Sequence, residues 1–72
     1  MIVVNSSIMQ KQIIKIVENI SEYTYTFVKK EGIKLYFDVD TEDQETAAIV
    51  AKKAIKADPM SGTLIISVKV EK

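Results

Sequence analysis

One stretch in the first half of the chain alternates aromatic or β-branched residues with small or polar ones, and it constrains the fold more than any other segment. The alternation runs over residues 23–29 and again over residues 33–39, with Lys-Glu-Gly at residues 30–32 between them. Alternation with period 2 is typical of strands that bury one face. Two such runs around a short loop that contains glycine predict an antiparallel β-hairpin.

The position of Gly32 favours one register of this hairpin. A three-residue loop that ends in a left-handed residue takes glycine there and closes with a G1 bulge, so Lys29 would face Ile33. Aromatic residues of the first strand would then face apolar residues of the second, in the pairs Phe27 with Leu35, Tyr25 with Phe37 and Tyr23 with Val39. The alternative is a loop of two or four residues with Val28 facing Ile33, which would move every side chain of the first strand to the other face.

The residues before the hairpin predict a strand and a helix. A short apolar run at residues 1–4 is typical of a buried strand, and a helix is expected over about residues 8–20. Ser7 and Gln10 have the spacing of a capping box, and Ser6 is the alternative cap. Apolar residues recur at helical spacing on one side of this helix, at Met9, Ile13, Ile16, Val17 and Ile20.

A second helix is expected after the hairpin. Thr41 and Gln44 again have capping-box spacing, and acidic residues follow Thr41, where the helix dipole favours negative charge. Asp58 and Pro59 end the helix. Its apolar positions are Ala47, Val50, Ala51, Ala54 and Ile55. Because most of them are alanine, we expect this helix to lie close to the sheet.

A last strand is expected over residues 63–72, with Leu64, Ile66, Val68 and Val70 facing inward. The order strand, helix, strand, strand, helix, strand over residues 1–72 predicts a single α+β domain. Its expected fold is the ferredoxin-like split βαβ sandwich (βαββαβ), with two helices on one face of a four-stranded antiparallel sheet. Right-handed crossovers place the first and third strands at the centre. If residues 1–4 form no strand, the alternative is a three-stranded sheet with two helices.

Composition excludes several kinds of chemistry. The chain has no Cys and no His, so disulfides, thiolate and imidazole catalysis and the usual zinc ligands are absent. Ten basic residues, all lysine, balance ten acidic ones, which leaves no basic footprint for nucleic acid and no arginine for bidentate contacts to phosphate. No apolar run approaches the roughly 18 residues of a membrane span. We therefore expect a cytoplasmic, non-catalytic protein with no cofactor and with neither a nucleic-acid nor a membrane partner.

Two polar segments resemble ligand sites, and ordinary structure explains both. The first is the acidic series Asp38, Asp40, Glu42, Asp43 and Glu45. It fails the EF-hand spacing because Asp43 stands where glycine is required and Ile49 where glutamate is. The second is the Asn-Ser-Ser loop at residues 5–7, whose backbone amides could hold an anion. A strand end and two helix starts account for these residues, so we assign no metal or anion site.

The sheet face that the helices leave uncovered is the strongest candidate for a functional surface. In the favoured register it presents Val28, Tyr36 and Ile65, with either residues 2 and 4 or residues 1 and 3 of the first strand, among threonine, serine and lysine. An apolar patch of roughly a few hundred Å2 on a small domain marks an interaction surface. The candidate interaction residues are Val28, Lys34, Tyr36, Ile65 and Ser67.

These residues favour a small interaction protein that forms a homodimer or docks a protein partner through the uncovered face, since a central tyrosine with a polar rim is typical of interfaces. The alternative is a regulatory domain that binds a small-molecule ligand at a loop or at a dimer seam. Tyr36 is the lone aromatic candidate for stacking on a nucleic-acid base, and residues 30–37 lack the aromatic spacing of the RNA-recognition consensus.

Overall fold

The computed structural model describes residues 1–59 and 66–71. Within them the chain forms β1 (Ile2–Asn5), α1 (Gln10–Glu18), β2 (Tyr25–Glu31), β3 (Lys34–Val39), α2 (Gln44–Ala57) and β4 (Ser67–Val70). The strands form one antiparallel four-stranded sheet in the order β2-β3-β1-β4, so the first and third strands are central as predicted. The protein is therefore an α+β structure with two helices and a four-stranded sheet in its described part. Residues 63–65 and residue 72 of the expected last strand lie outside the described residues.

β1 is short, and yet it lies at the centre of the sheet. Ile2 pairs with Phe37 of β3 on one side and with Val70 of β4 on the other. Ile2 and Val4 are fully buried. The sequence of β1 is nearly all apolar, which suits a strand at the centre of a sheet. The strand expected at residues 1–4 is confirmed, and the three-stranded alternative is wrong.

The hairpin closes with a shorter loop than the sequence predicts. Glu31 pairs with Lys34, which leaves Gly32 and Ile33 as a two-residue loop. The predicted three-residue loop with a G1 bulge is therefore wrong. Of the two loop residues only Gly32 has a positive φ, at 59°. This is the pattern of a type II′ turn, whose first central position takes glycine and whose twist matches that of the strands.

A bulge in β2 keeps the aromatic residues on the predicted face despite this shorter loop. A two-residue loop alone would have moved them to the other face. The register shifts after Phe27 because Val28 is skipped in the pairing, and this extra residue restores the alternation. Phe27 consequently lies opposite Phe37, with ring centroids 5.6 Å apart, and Tyr25 lies opposite Val39. The predicted partners are wrong by two positions, but the predicted side of the sheet is right.

The hydrophobic core lies between the two helices and one face of the sheet. Its buried members are Ile2, Val4, Ile13, Val17, Tyr25, Leu35, Phe37, Ala47, Ala48, Ala51, Ile55 and Ile66. The apolar stripes of both helices supply half of this set, and the small alanine side chains allow α2 to approach the sheet closely. Val68 and Val70 of β4 are half-buried against the same cluster, so the inward positions expected for the last strand are confirmed where the structure describes them.

α1 begins without the predicted capping box. The residue before it, Met9, has a left-handed backbone with φ 56°, and no side chain caps the helix. The Ser6 hydroxyl donates instead to the Ile8 carbonyl at 2.8 Å. The Gln10 side-chain amide donates to the carbonyls of Ser6 and Gly32. Gln10 therefore joins the start of α1 to the hairpin loop, a tertiary role that its spacing in the sequence does not reveal.

α2 is capped two residues later than predicted. The Asp43 carboxylate accepts hydrogen bonds from the Thr46 amide and the Thr46 hydroxyl, at 3.2 and 2.6 Å. The bonds from the Thr46 hydroxyl and amide lower the pKa of the Asp43 carboxyl, since they stabilise its charged form. Thr41 holds the preceding turn: its hydroxyl accepts from the Asp43 amide, and its carbonyl accepts from the Gln44 side chain. The predicted pair of Thr41 and Gln44 is in contact, but the cap is Asp43.

Tyr25 joins the edge strand β2 to α2. Its ring is buried, and its hydroxyl donates to the Ala47 carbonyl at 2.6 Å. Burial, and then the nearby Tyr23, Glu22 and Asp40, raise the pKa of Tyr25 to about 12. The phenol needs its proton to donate this hydrogen bond. The raised pKa means that it keeps the proton in the folded state at neutral pH.

We expect Tyr25 to make the protein less stable at high pH. In the unfolded chain the phenol loses its proton near pH 10, whereas in the folded protein it keeps it until about pH 12. The folded state therefore binds more protons in this window, so stability that is fully present below pH 10 is lost as the pH rises to 12. Tyr25→Phe should cost about 1 kcal/mol at pH 8 through the lost hydrogen bond. Its urea midpoint should then fall less steeply than that of the wild type above pH 10, and equal slopes would contradict the assignment.

Candidate functional site

The sheet face that lies away from the helices carries side chains in rows that cross the four strands. Its central row is Lys29, Tyr36, Val3 and Lys69, one residue from each strand. The row nearer the hairpin loop is Glu31, Lys34, Asn5 and Ser67. The row at the other end contains Thr26 with Asp38 and Met1 with Glu71. We call this surface the uncovered face.

The centre of the uncovered face is the pair of Tyr36 and Val3, which lie opposite each other on the two central strands. They are only 6% and 4% exposed, although both helices pack on the opposite side of the sheet. Lys29 covers the tyrosine, with its Nζ atom 4.9 Å from the ring centroid. Lys69 lies opposite Val3 on the other edge strand. Two lysines from the edge strands thus flank an apolar pair, as long amphipathic side chains commonly do.

Lys29 is held over the ring by weak interactions. Its Nζ atom lies 3.6 Å from the Glu31 carboxylate, and the two side chains are 53% and 58% exposed. An exposed ion pair contributes about 0–1 kcal/mol, and an exposed cation–π contact about 0.5–1 kcal/mol. A partner that offers Lys29 an equivalent contact therefore displaces it from Tyr36 at small cost.

The Tyr36 hydroxyl lies near acidic groups. Burial, then the charge of Glu71, and then a hydrogen bond to Glu31 and the charge of that carboxylate raise the pKa of Tyr36, because each disfavours a phenolate. The phenol consequently keeps its proton at neutral pH. It is therefore poorly suited to act as a base.

The structure places three of the predicted interaction residues on the uncovered face: Lys34, Tyr36 and Ser67. Val28 lies at the β2 bulge and is 43% exposed, and Ile65 lies outside the described residues. The prediction of an exposed apolar patch on this face is wrong for the described part of the chain. Tyr36, its expected centre, is covered by Lys29, and Ser67 is half-buried.

Two members of the central row could not be identified from the sequence. The first strand left two possible outward sets, and the pairing of Val3 with Tyr36 decides between them. Lys29 faces Tyr36 only because the bulge at Val28 shifts the register of the end of β2. The local sequence around a lysine near a hairpin loop does not predict such a contact.

The acidic residues and the loop before α1 contain side chains that form hydrogen bonds within the chain. Among the described residues no group of three or more acidic side chains is arranged to hold a metal ion. Asp43 caps α2, and Asp40 accepts a hydrogen bond from the Thr24 amide at 2.9 Å. At the end of β1, the Asn5 side-chain amide donates to the Ser67 hydroxyl. Asp40, Asp43 and Asn5 are therefore engaged in hydrogen bonds within the chain.

A cleft of about 510 Å3 lies between the end of α1, the loop that follows it and α2. Its lining combines the apolar side chains Ile16, Ile20, Val50 and Ala54 with the charged residues Glu22 and Lys53. Small-molecule sites share this combination of apolar walls and a few polar groups. The cleft is on the helix side of the molecule, away from the uncovered face.

No protein-family model matches the chain, and no curated protein or solved structure shows significant similarity to it. No helix in the described ranges is long and apolar enough to cross a membrane. The function is therefore inferred from the geometry of the uncovered face and of the cleft.

Proposed function

We propose that the chain is a small non-catalytic interaction protein with a ferredoxin-like fold, and that it self-associates or docks a protein partner through its uncovered face. The strand order β2-β3-β1-β4 and the order of elements support the split βαβ fold. The observation that carries the functional proposal is the pair of Tyr36 and Val3 at the centre of that face, where the exposed side chain of Lys29 lies over the tyrosine ring.

The surroundings of this pair suit an interface. Energetically important contacts cluster around buried aromatic residues that a polar rim shields from water. Here the rim carries three basic and three acidic side chains, Lys29, Lys34, Lys69, Glu31, Asp38 and Glu71. With no net charge of its own, such a rim selects a partner by the pattern of charges and not by their sum.

The test is to uncover the tyrosine. Lys29→Ala removes the covering side chain, so association through this face should become tighter than in the wild type. Tyr36→Glu should abolish it, because the carboxylate would be buried unpaired. Lys52→Ala, at an exposed position of α2, is the matched control and should leave association unchanged.

Gel filtration with light scattering measures the mass of each variant up to high micromolar concentration, and NMR follows the Tyr36 ring signals over the same range. Ring signals that shift with concentration support self-association through this face. The self-association form of the proposal is wrong if the Tyr36 signals stay constant and Lys29→Ala behaves like the wild type. Docking of another protein would then remain to be tested with the same variants against that protein.

The cleft between α1 and α2 supports a second candidate function, a regulatory domain that binds a small molecule beside the loop after α1. A ligand that binds only the folded state raises the melting temperature. A thermal-shift screen with a metabolite panel should then find a hit that loses its effect in Lys53→Ala, inside the cleft, and keeps it in Lys52→Ala, outside it. A panel without any hit removes this candidate for the compounds tested.

A further inference from the structure

β4 is an edge strand of the sheet that the described residues form. Met1 and Glu71 form a hydrogen-bonded pair: the Met1 amine donates to the Glu71 carbonyl at 3.1 Å, and the Glu71 amide donates to the Met1 carbonyl at 2.8 Å. In an antiparallel ladder the alternate residues point their N–H and C=O groups away from the neighbouring strand. Val68 and Val70 therefore point theirs outward. Within residues 1–59 and 66–71 no strand pairs with that edge.

The opposite edge of the sheet is protected. In β2 the bulge at Val28 interrupts the register, and Lys29 and Lys30 follow it. The Phe27 amide donates to the Glu18 carboxylate of α1 at 3.4 Å. Bulges, lysines and covering groups are the usual means by which proteins prevent edge strands from pairing. β4 has an uninterrupted register with β1 and no proline, so of the two edges it is the one suited to pairing.

Charge selects how two copies of β4 would pair about a two-fold axis. With the axis beside Lys69, two lysines would face each other, which is unfavourable. With the axis beside Val68, each Lys69 would face Ser67 and gain no opposite charge. With the axis beside Val70, each Lys69 faces Glu71 of the second copy, an opposite-charge pair on either side of the axis. The outward backbone groups of Val70 then form a hydrogen-bonded pair with those of its counterpart.

Lys69 and Glu71 are placed to make these contacts. Both side chains are exposed, and both lie on the uncovered face: Lys69 is opposite Val3, and the charge of Glu71 acts on Tyr36. The ion pair of Lys29 with Glu31 lies at the other edge of the sheet, and within the described residues neither Lys69 nor Glu71 takes part in an ion pair.

We propose that two copies of this chain pair along β4, with Val70 at the two-fold axis and Lys69 of each copy opposite Glu71 of the other. The two four-stranded sheets then join into one, and the two uncovered faces lie side by side. This inference does not depend on the function proposed for the uncovered face. Because an edge-to-edge contact of short strands buries little surface, the dimer is a weak one that forms at high micromolar concentration.

A charge swap tests the register. Lys69→Glu places glutamate opposite Glu71, and Glu71→Lys places lysine opposite Lys69. Each single variant should have the mass of a monomer by light scattering at a concentration where the wild type is a dimer. The double variant Lys69→Glu/Glu71→Lys restores opposite charges and should restore the dimer. Lys52→Glu, the same charge change on α2, should leave the dimer intact.

Amide hydrogen exchange, measured by NMR at low and high protein concentration, tests the edge itself. The outward amides of Val68 and Val70 should exchange more slowly at high concentration, while the inward amide of Lys69 is the internal reference. A wild type that stays monomeric, single variants that still dimerise, or a double variant that stays monomeric overturns the proposal. So does a dimer that changes the Tyr36 signals and leaves the edge amides unchanged, and that result would favour the uncovered face instead.

Discussion

Replacing Phe37 with alanine should destabilise the protein by about 4 kcal/mol, the loss typical of a truncated, fully buried aromatic side chain. Phe37 has no exposed surface and lies on a central strand, opposite Ile2 on one side and Phe27 on the other. A domain of this size has a free energy of unfolding of about 4–10 kcal/mol. The variant should therefore be close to the limit of folding, which urea denaturation followed by circular dichroism measures.

Phe27→Ala is the control for this prediction. Its ring contacts Phe37 edge-on, but Phe27 belongs to the edge strand β2 and is only half-buried. We expect a loss of about 1–2 kcal/mol, since only part of the ring area is removed from water. Equal losses for the two variants would show that the edge strand is buried as deeply as the central one, against the strand order found here.

Replacing Ala51 with leucine should destabilise the protein by about 3 kcal/mol, because the larger side chain overpacks a filled space. Ala51 is fully buried on the face of α2 that packs against the core. The added carbon atoms can be accommodated only if the helix moves away from the sheet. Thermal and urea unfolding should both show the loss.

Ala57→Leu makes the same chemical change at an exposed position at the end of α2, and it should alter stability by no more than about 0.5 kcal/mol. If Ala51→Leu were as neutral as Ala57→Leu, the helix would not be packed closely on the sheet. The alanine stripe would then reflect helix propensity alone.

The sequence predicts the elements and their order because each depends on short-range periodicity. The spacing of Ile13 and Val17 places their side chains on one face only in a helix. The alternation around Leu35 and Phe37 does the same only in a strand. Chain connectivity then leaves few topologies, so the central position of the first and third strands could also be anticipated.

The hairpin register depended on more than its local sequence. Gly32 is compatible both with a three-residue loop that ends in glycine and with the two-residue loop that begins with it, since both need a left-handed residue there. What decides the outcome is burial of Tyr25 and Phe27 against the helices. The bulge at Val28 allows a two-residue loop and still keeps Tyr25 and Phe27 on the core side of the sheet.

That Tyr36 lies on the uncovered face of the sheet could be inferred from the alternation of residues 33–39, which assigns each side chain of β3 to one side. It took the folded structure to show that Lys29 covers that tyrosine, that Val3 lies beside it, and that the backbone groups of Val68 and Val70 point away from β1. Each of these depends on the relative positions of residues on different strands. Such positions follow from the packing of the whole core, which no single segment of the sequence contains.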